Sequence, residues 1–191
     1  VPAIFFVGRG LEKGTHIRIM AAKREVAESS FDLLHHSIVD TFTSASRTHP
    51  ERDLENVGFN VGQKLAERYS RDRPIFADDL QAITFLCKDF WTEVYGKQMD
   101  KLRTNHKGVF ELQDHRFRAV LRVSTAPEAN AGEAAKRYLL LPCGMIRGAL
   151  AALGILATVR AEAQGLPSVV FVIHVRQPLR SESAAAPAPA H

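Results

Sequence analysis

The segment from Pro142 to Gly154 constrains the fold more than any other part of the sequence, because nearly all of its residues are apolar or small. Arg147 is its one charged residue. A helix that is apolar all round has no face suited to water, so other elements have to cover it. Pro142 suits the first turn of such a helix, and Gly154 suits its end. The sequence therefore predicts a short buried helix with the rest of the chain packed around it.

Two amphipathic segments precede this buried helix. Residues 26–46 repeat apolar side chains at steps of three and four, which predicts helix one, and the approach to Pro50 ends it. Helix two is predicted over residues 52–69 and carries Gly58 and Gly62 on its apolar side. Each glycine costs about 1 kcal/mol relative to alanine inside a helix. A close crossing by another helix is the favoured reason for both glycines, and a merely weak helix is the alternative.

A change of period marks the passage from helices to strands. Asp78 or Asp79 caps a third helix, and Gly96 ends it. Helices and strands in this order predict an α+β fold with helices packed on an antiparallel sheet. Alternation of apolar and polar residues predicts strands over residues 99–105, 109–114, 118–124, 155–162 and 169–176.

Length and composition are those of one globular domain. A chain of 191 residues with 46% hydrophobic residues can bury a sizeable core without disulfides or metals. We expect a single domain over residues 26–178, preceded by an extension over residues 1–25 that is disordered or artefactual. Residues 179–191 are expected to form a disordered tail rich in alanine and proline. Cys87 and Cys143 lie in apolar segments, which predicts two buried thiols and a reducing compartment.

The sequence contains no pattern typical of a catalytic, metal or cofactor site. A phosphate-binding glycine loop, a Cys-x-x-Cys pair, a His-Glu-x-x-His pair and a Gly-x-Ser-x-Gly elbow are all missing. His35 and His36 are adjacent, so their side chains point about 100° apart on a helix and suit one metal poorly. We interpret them as surface or interface histidines. The sequence therefore predicts a protein without catalytic residues, metal ligands or cofactors.

A basic stretch runs through the predicted strands between residues 97 and 122. Together with a net charge of +4, it favours acidic partners. Three interpretations stay open: a solvated outer sheet face, a docking surface for acidic protein or lipid, and a nucleic-acid site, for which stacking aromatics are scarce. The basic residues are Lys97, Lys101, Arg103, Lys107, Arg116, Arg118 and Arg122.

The first two helices carry more apolar residues than one packing contact requires. One stripe has to cover the sheet, and the remaining apolar residues need a second surface. Either the two helices cover one another, or a partner protein supplies that surface. Periodicity alone favours neither alternative.

Several ordered stretches of the sequence resemble one protein family. They are the block Lys88–Asp114 and residues 54–62, 85–91, 142–150 and 153–155. In order and spacing these stretches are similar to the small subunits of the TRAPP complex, specifically to the subunit-six branch of the Bet3-like superfamily. The resemblance extends over residues 26–178, the whole of the predicted domain.

This resemblance implies both a fold and a function. The fold is Bet3-like, with four or so helices packed on one side of a twisted antiparallel sheet. The function is that of a non-catalytic adaptor subunit of the TRAPP complex, which tethers vesicles in ER–Golgi and Golgi trafficking and is a guanine-nucleotide exchange factor for Rab GTPases. The implied location is cytoplasmic, peripheral at the Golgi and the endoplasmic reticulum, and contact with Rab and membrane is through the complex.

The resemblance also implies partners. Family members pair through their first two helices, so we expect a heterodimer with a Bet3-type subunit, contacts with other TRAPP subunits, and a homodimer as the alternative for the isolated chain. Nucleic acid is not an implied partner. We predict the pairing surface on nine residues of helices one and two: Phe31, Leu34, Ile38, Phe42, Leu54, Gly58, Phe59, Gly62 and Leu65.

One departure from the family and one alternative function accompany this prediction. The Bet3-type subunit is acylated on a cysteine just before its third helix, where this chain has Arg73–Ala77 and no cysteine. The alternative function is a small-ligand sensor for a lipid or a haem-like group, since Bet3-like folds resemble domains that bind such ligands. In that case the buried helix would line an apolar pocket.

Overall fold

The protein, in a computed structural model, is described over residues 28–44, 48–121, 123, 131–163 and 165–176. The predicted terminal segments, 1–25 and 179–191, lie outside the described residues. The helices are α1 (Glu28–Ser44), α2 (Pro50–Ser70), α3 (Asp79–Phe85), α4 (Trp91–Tyr95), α5 (Arg118–Leu121) and α6 (Ala131–Ala152). The strands are β1 (Lys101–Thr104), β2 (Val109–Asp114), β3 (Ala157–Ala163) and β4 (Val169–Val175).

The four strands form one antiparallel sheet in the order β1-β2-β4-β3. Leu112 of β2 lies opposite both Leu102 of β1 and Phe171 of β4, and Phe171 also lies opposite Ala161 of β3. Leu112 and Phe171 are fully buried beneath the helices, whereas alternate residues of their strands face the open side of the sheet. The predicted α+β fold, with helices packed on an antiparallel sheet, is confirmed.

The helices α2 and α6 cross with their backbones in contact. Gly58 and Gly62 of α2 face Gly144 and Gly148 of α6. A methyl group added at Gly62 would overlap a backbone carbonyl oxygen of α6, and one added at Gly148 would overlap a carbonyl oxygen of α2. The close crossing predicted from Gly58 and Gly62 is confirmed, and the helix that makes it is the predicted buried one.

The buried helix α6 is longer than the sequence predicted, and Pro142 lies in its interior rather than in its first turn. That part of the prediction is wrong. Proline has no backbone N–H, so the carbonyl of Tyr138, four residues earlier, lacks the helical hydrogen bond that residue 142 would otherwise donate. The His35 ring on α1 lies beside the backbone of Tyr138. His35 thus packs against the turn that Pro142 interrupts, and it ties α1 to α6.

The His35 ring is buried, with 3% of its surface exposed, so of the two alternatives, surface or interface histidine, the surface one is wrong for this residue. Burial, followed by the nearby charge of His36, lowers the pKa of His35 to about 4. The backbone of Tyr138 and the charge of Asp32 oppose this shift only in part. The folded chain therefore holds His35 as a neutral ring at pH 7.

The strand predicted over residues 118–124 is wrong, because the described part of this segment contains the single-turn helix α5. In a strand with one exposed side, neighbouring residues point to opposite sides, so only one of Ala119 and Val120 would be buried. In α5 both are buried. The Arg118 guanidinium reaches back to α1 and pairs with the Asp32 carboxylate at 3.0 Å. Long-range burial and this ion pair therefore override the local alternation.

The helical segment predicted after Asp78 contains one wider turn. Asp78 caps its start through a side-chain hydrogen bond, and Gly96 ends it with φ of 76°, both as predicted. Between α3 and α4, residues 86–90 form a π-helical turn, in which the backbone N–H of Trp91 donates to the Leu86 carbonyl. A π-turn adds one residue to a single turn, which apolar periodicity over a longer segment does not reveal.

The buried carboxylate of Asp114 joins the end of β2 to the segment that follows α4. Its Oδ2 accepts a hydrogen bond from Trp91 Nε1 at 3.1 Å, and its Oδ1 accepts one from Lys97 Nζ at 2.7 Å. Lys97 also pairs with Asp100 at 2.8 Å. Burial alone would lower the pKa of Lys97, but the hydrogen bonds to Asp100 and Asp114 outweigh it and raise that pKa. The cluster holds the connection between α4 and β1 against the sheet.

Replacing Gly62 by alanine tests the α2–α6 crossing. The methyl group has no space in front of the α6 backbone, so we expect the free energy of unfolding to fall by about 2 kcal/mol or more. Gly132→Ala is the matched control, because no atom lies within 4 Å of its added methyl group. Alanine there is expected to be neutral or to stabilise by up to about 1 kcal/mol. Urea denaturation measures both, and an unchanged stability of Gly62→Ala would contradict the backbone contact.

Acidification tests the buried His35 ring. Its pKa is about 4 in the folded chain and 6.5 without the fold, so the unfolded chain takes up the proton first as the pH falls. Stability is therefore greatest above the unfolded pKa and is lost as the pH falls toward the folded one. Between pH 7 and about pH 5, we expect this residue to lower the free energy of unfolding by about 2 kcal/mol.

The measurement compares urea denaturation of the parent chain and of His35→Leu at these two pH values. His35→Leu is expected to lack this part of the pH dependence, whereas a change of the exposed His174 to glutamine should retain it. An identical pH dependence in the parent and in His35→Leu would show that the buried ring does not titrate as described.

Removing the Asp114 carboxylate tests the cluster around it. Asp114→Ala leaves the buried indole Nε1–H of Trp91 without its acceptor and Lys97 without one of its two carboxylates. We expect a loss of about 3 kcal/mol in the free energy of unfolding. Glu111→Ala, on the exposed side of the same strand, should change it by less than about 0.5 kcal/mol. Equal effects of the two substitutions in urea denaturation would rule out a stabilising role for the cluster.

Candidate functional site

The nine residues predicted to form a pairing surface differ in their exposure. On α1, Phe31 and Leu34 are exposed, with 36% and 57% of their surfaces accessible. Ile38 and Phe42 on the same helix are half-buried. These four residues remain available, wholly or in part, for contact with a partner.

The five predicted residues of α2 lie in three places. Leu54, Gly58 and Gly62 are buried inside the chain, where the two glycines contact α6. Leu65 is half-buried on the side of α2 that faces α1, and Phe59 is half-buried on a different side, toward β3. The chain therefore uses Leu54, Gly58 and Gly62 for its own core, and pairing through the other members stays a prediction.

An apolar cleft of about 290 Å³ brings the α1 residues together with one side of α2. It opens between α1, α2, α4 and α6. Its floor is formed by Leu141 and Met145 of α6, which are buried. Its walls include Phe31, Leu34 and Ile38 from α1 and Val57, Val61 and Leu65 from α2.

Val57 and Val61 of α2 are among the cleft residues that sequence reasoning left out of the pairing surface. Val61 has 41% of its surface exposed, and Val57 is half-buried. They are four residues apart, so they share one side of α2, next to the side that carries Gly58 and Gly62. The sequence signal for them is the spacing of the two valines, four residues apart. The helix that packs against Gly58 and Gly62 cannot also cover this neighbouring side of α2.

Few side chains attach α1 to the rest of the chain. His35 and Val39 are the residues of α1 that are fully buried within the described range. Polar contacts at its two ends support them: Asp32 pairs with Arg118, and the Tyr138 hydroxyl donates to Asp40 at 3.2 Å. On α1, Leu34, which lines the cleft, and its neighbour Leu33 stay more than half exposed.

Both cysteine thiols are buried in the described part of the chain. Burial raises the pKa of Cys87 to about 12, and burial with a smaller contribution from Glu55 raises that of Cys143 to about 12, so both thiols stay protonated. Within the described ranges, no three His, Cys, Asp or Glu side chains come together as a metal site. None of the helices described here has the length and apolar character to span a membrane.

The basic stretch between residues 97 and 122 does not form one surface. Lys101 and Arg103 lie on the open side of the sheet, as expected. Lys97 pairs with two carboxylates, and Arg118 lies on a helix and pairs with Asp32. Arg122 falls outside the described residues. Lys97 and Arg118 are therefore not part of a basic face of the sheet. Because fewer basic side chains are left there to contact phosphates, the nucleic-acid alternative is weaker.

Comparisons with known proteins agree with this geometry. The family model described as "Transport protein particle (TRAPP) component" matches residues 31–176. The chain is 42% identical over 156 residues to human trafficking protein particle complex subunit 6B, covering 78% of this chain and 98% of that protein. It is 40% identical over 155 residues to subunit 6b of Danio rerio, again covering 78% and 98%. It is 43% identical over 120 residues to human subunit 6A, covering 63% and 74%.

A similar fold is found in a solved structure of much lower sequence identity. It is a trafficking protein particle complex subunit 3 from Naegleria fowleri, covalently bound to palmitic acid, and it matches with a TM-score of 0.58 and 14% identity. The match covers 80% of this chain and 99% of that one. At this identity the likeness concerns the fold alone. From the family match and from the relatives above 40% identity, the chain belongs to the TRAPP component family, in its subunit-six branch.

Proposed function

We propose that this chain is a non-catalytic adaptor subunit of a TRAPP complex and that it forms a heterodimer with a Bet3-type subunit through α1 and α2. The observation that carries the proposal is the apolar cleft between these helices, bordered by the exposed side chains of Phe31, Leu34 and Val61. Soluble monomers rarely leave a contiguous apolar surface of this kind uncovered. A partner helix laid along the cleft would cover it.

The energetics of such a contact are favourable. Fully burying a large apolar side chain contributes about 1.5 to 3 kcal/mol. Leu33 and Leu34 are more than half exposed, and Phe31 and Val61 add to the same region. Several of these contributions together are needed, because association costs at least about 4 kcal/mol in lost translational and rotational freedom. The rigid α2–α6 floor lowers the remaining cost, since it needs little reordering when a partner binds.

The cellular setting follows from the assembly. As part of the complex, the chain acts in vesicle tethering and supports guanine-nucleotide exchange on a Rab GTPase, while the exchange surface belongs mainly to other subunits. It resides in the cytoplasm, peripheral at the Golgi and the endoplasmic reticulum. The human subunit 6B relative supports this role, because the chain covers 98% of its length and it is named as a subunit of a trafficking particle complex.

A small-ligand module is the second candidate, and the same cleft favours it. Its volume of about 290 Å³ is near the lower end of the range for small-molecule sites, about 300 to 1,000 Å³. Native mass spectrometry of the purified chain separates the two functions. A bound lipid or haem-like group that leaves when the Bet3-type subunit is added would favour the ligand module, and an unliganded mass would favour pairing alone.

Leu34→Asp tests the pairing surface. A charge placed at this exposed position has little effect on the fold but loses its hydration against an apolar partner, so we expect affinity for a Bet3-type subunit to fall at least about 100-fold. Ile75→Asp is the matched control, because Ile75 is 95% exposed in the loop that follows α2. Analytical ultracentrifugation and titration calorimetry of the mixed subunits measure the effect. Gly62→Trp is unsuitable here, since it would disrupt the chain's own core.

Two outcomes would contradict the proposal. Undiminished binding by Leu34→Asp would exclude this surface as the interface. Nucleotide exchange on a Rab GTPase by the isolated chain would exclude a non-catalytic role. If the parent chain self-associates and Leu34→Asp prevents this, the same surface is used in a homodimer.

A further inference from the structure

A second groove, of about 430 Å³, lies on a different side of α2 from the cleft beside α1, and of the nine residues predicted for pairing Phe59 alone lines it. It is bounded by α2, α6 and β3, and its apolar lining includes Phe59, Cys143 and Ile155. Phe59 and Glu55 face this groove, whereas Val57 and Val61 of the same helix face the cleft beside α1. One helix therefore separates the two grooves, and a partner helix laid along the cleft beside α1 would leave the second groove open.

The charge of the groove is strongly unbalanced. Arg147, Arg160 and Arg176 line it, and Glu55 is the one acidic residue of its lining. The Arg147 guanidinium lies over the Phe59 ring at 5.2 Å, and its contact with Glu55, at 3.7 Å, is too long for a good hydrogen bond. Across the described ranges, no carboxylate pairs with Arg160 or Arg176. The groove therefore presents uncompensated positive charge above an apolar floor.

Arg147 is also short of hydrogen-bond acceptors. Its Nε is buried, and no acceptor for it is found in the described part of the chain. About a third of the side chain remains accessible, with 35% of its surface exposed. A carboxylate entering the groove could accept hydrogen bonds from the accessible end of this guanidinium, which is a strong, charge-assisted interaction.

The third wall of the groove is the outer strand of the sheet. β3 pairs with β4 on one side and has no further strand beside it in the described sheet. Residues 156–160 line the groove consecutively, so the strand edge itself faces it. The edge of a sheet carries unpaired backbone N–H and C=O groups that can pair with an added strand. Leu156, at the start of this edge, is 65% exposed.

From these observations we propose that the groove binds an extended, acidic segment of a partner protein, which adds to β3 as a fifth strand. Backbone hydrogen bonds to β3 hold the segment, its inward-facing apolar side chains contact the Phe59 and Ile155 floor, and the carboxylates that alternate with them pair with Arg160 and Arg176. One inward-facing carboxylate pairs with Arg147. Strand addition to an open edge with side-chain pockets beside it is a known mode of peptide recognition. A small anion would use the arginines but neither the strand edge nor the apolar floor.

The probe is a fluorescein-labelled ten-residue peptide that alternates glutamate and valine, added to the full chain at low salt and followed by fluorescence anisotropy. We expect saturable binding that weakens as salt is added, and no binding of the matched lysine–valine peptide. The double variant Arg160→Glu and Arg176→Glu should weaken binding at least about tenfold. Arg103→Glu, on the strand at the other edge of the sheet, is the matched control and should bind as the parent does.

Backbone methylation of the probe separates strand addition from simple charge attraction. Methylating every second peptide nitrogen removes hydrogen-bond donors and keeps all carboxylates. In one register the methyl groups face β3, and binding should be lost; in the other they face away, and binding should be retained. Equal binding in both registers, parent-like binding by the double arginine variant, or equally tight binding of inorganic phosphate would each overturn the proposal. Leu34→Asp should still bind the peptide, because Leu34 does not line this groove. The peptide test therefore does not depend on the outcome of the pairing test.

Discussion

Four glycines allow α2 and α6 to cross with their backbones in contact, and the rest of the molecule is arranged around that crossing. Because no side chain separates the two helices there, their relative position is set by backbone atoms, which cannot adjust by changing rotamer. The α6 helix packs against the sheet, and α2 therefore has a defined position above it. One side of α2 then borders the cleft beside α1, and another borders the groove beside β3.

The peripheral elements are attached by a few contacts of buried polar side chains. His35 of α1 is buried in the core beside the Tyr138 backbone, where Pro142 has removed the helical donor. Asp114 joins β2 to the segment around Trp91 through two of its own hydrogen bonds. Such contacts contribute modestly to stability when made but cost more when one partner is missing. They therefore specify where α1 and the first two strands lie, while the glycine crossing specifies the core.

Much of the fold and part of the site could be predicted from sequence. The end of the third helix at Gly96 and the strands around Leu112 and Phe171 were predicted, because these elements follow local rules of capping and alternation. The errors at residues 118–124 and at Pro142 arose where contacts distant in sequence override those rules. In the site, Gly58 and Gly62 were recognised as contact residues, but the sequence could not assign that contact to the chain's own α6.

By itself the sequence determined that the chain folds as helices on an antiparallel sheet, that two helices touch at Gly58 and Gly62, and that it belongs with the TRAPP small subunits. These properties follow from periodicity, glycine placement and motif order, which are local in the chain. Only the tertiary structure decided which sides of α2 are covered within the chain and which stay accessible. The physical reason is that a pattern shows that a face is apolar, whereas its burial depends on the helix that packs there, and α6 is about eighty residues away.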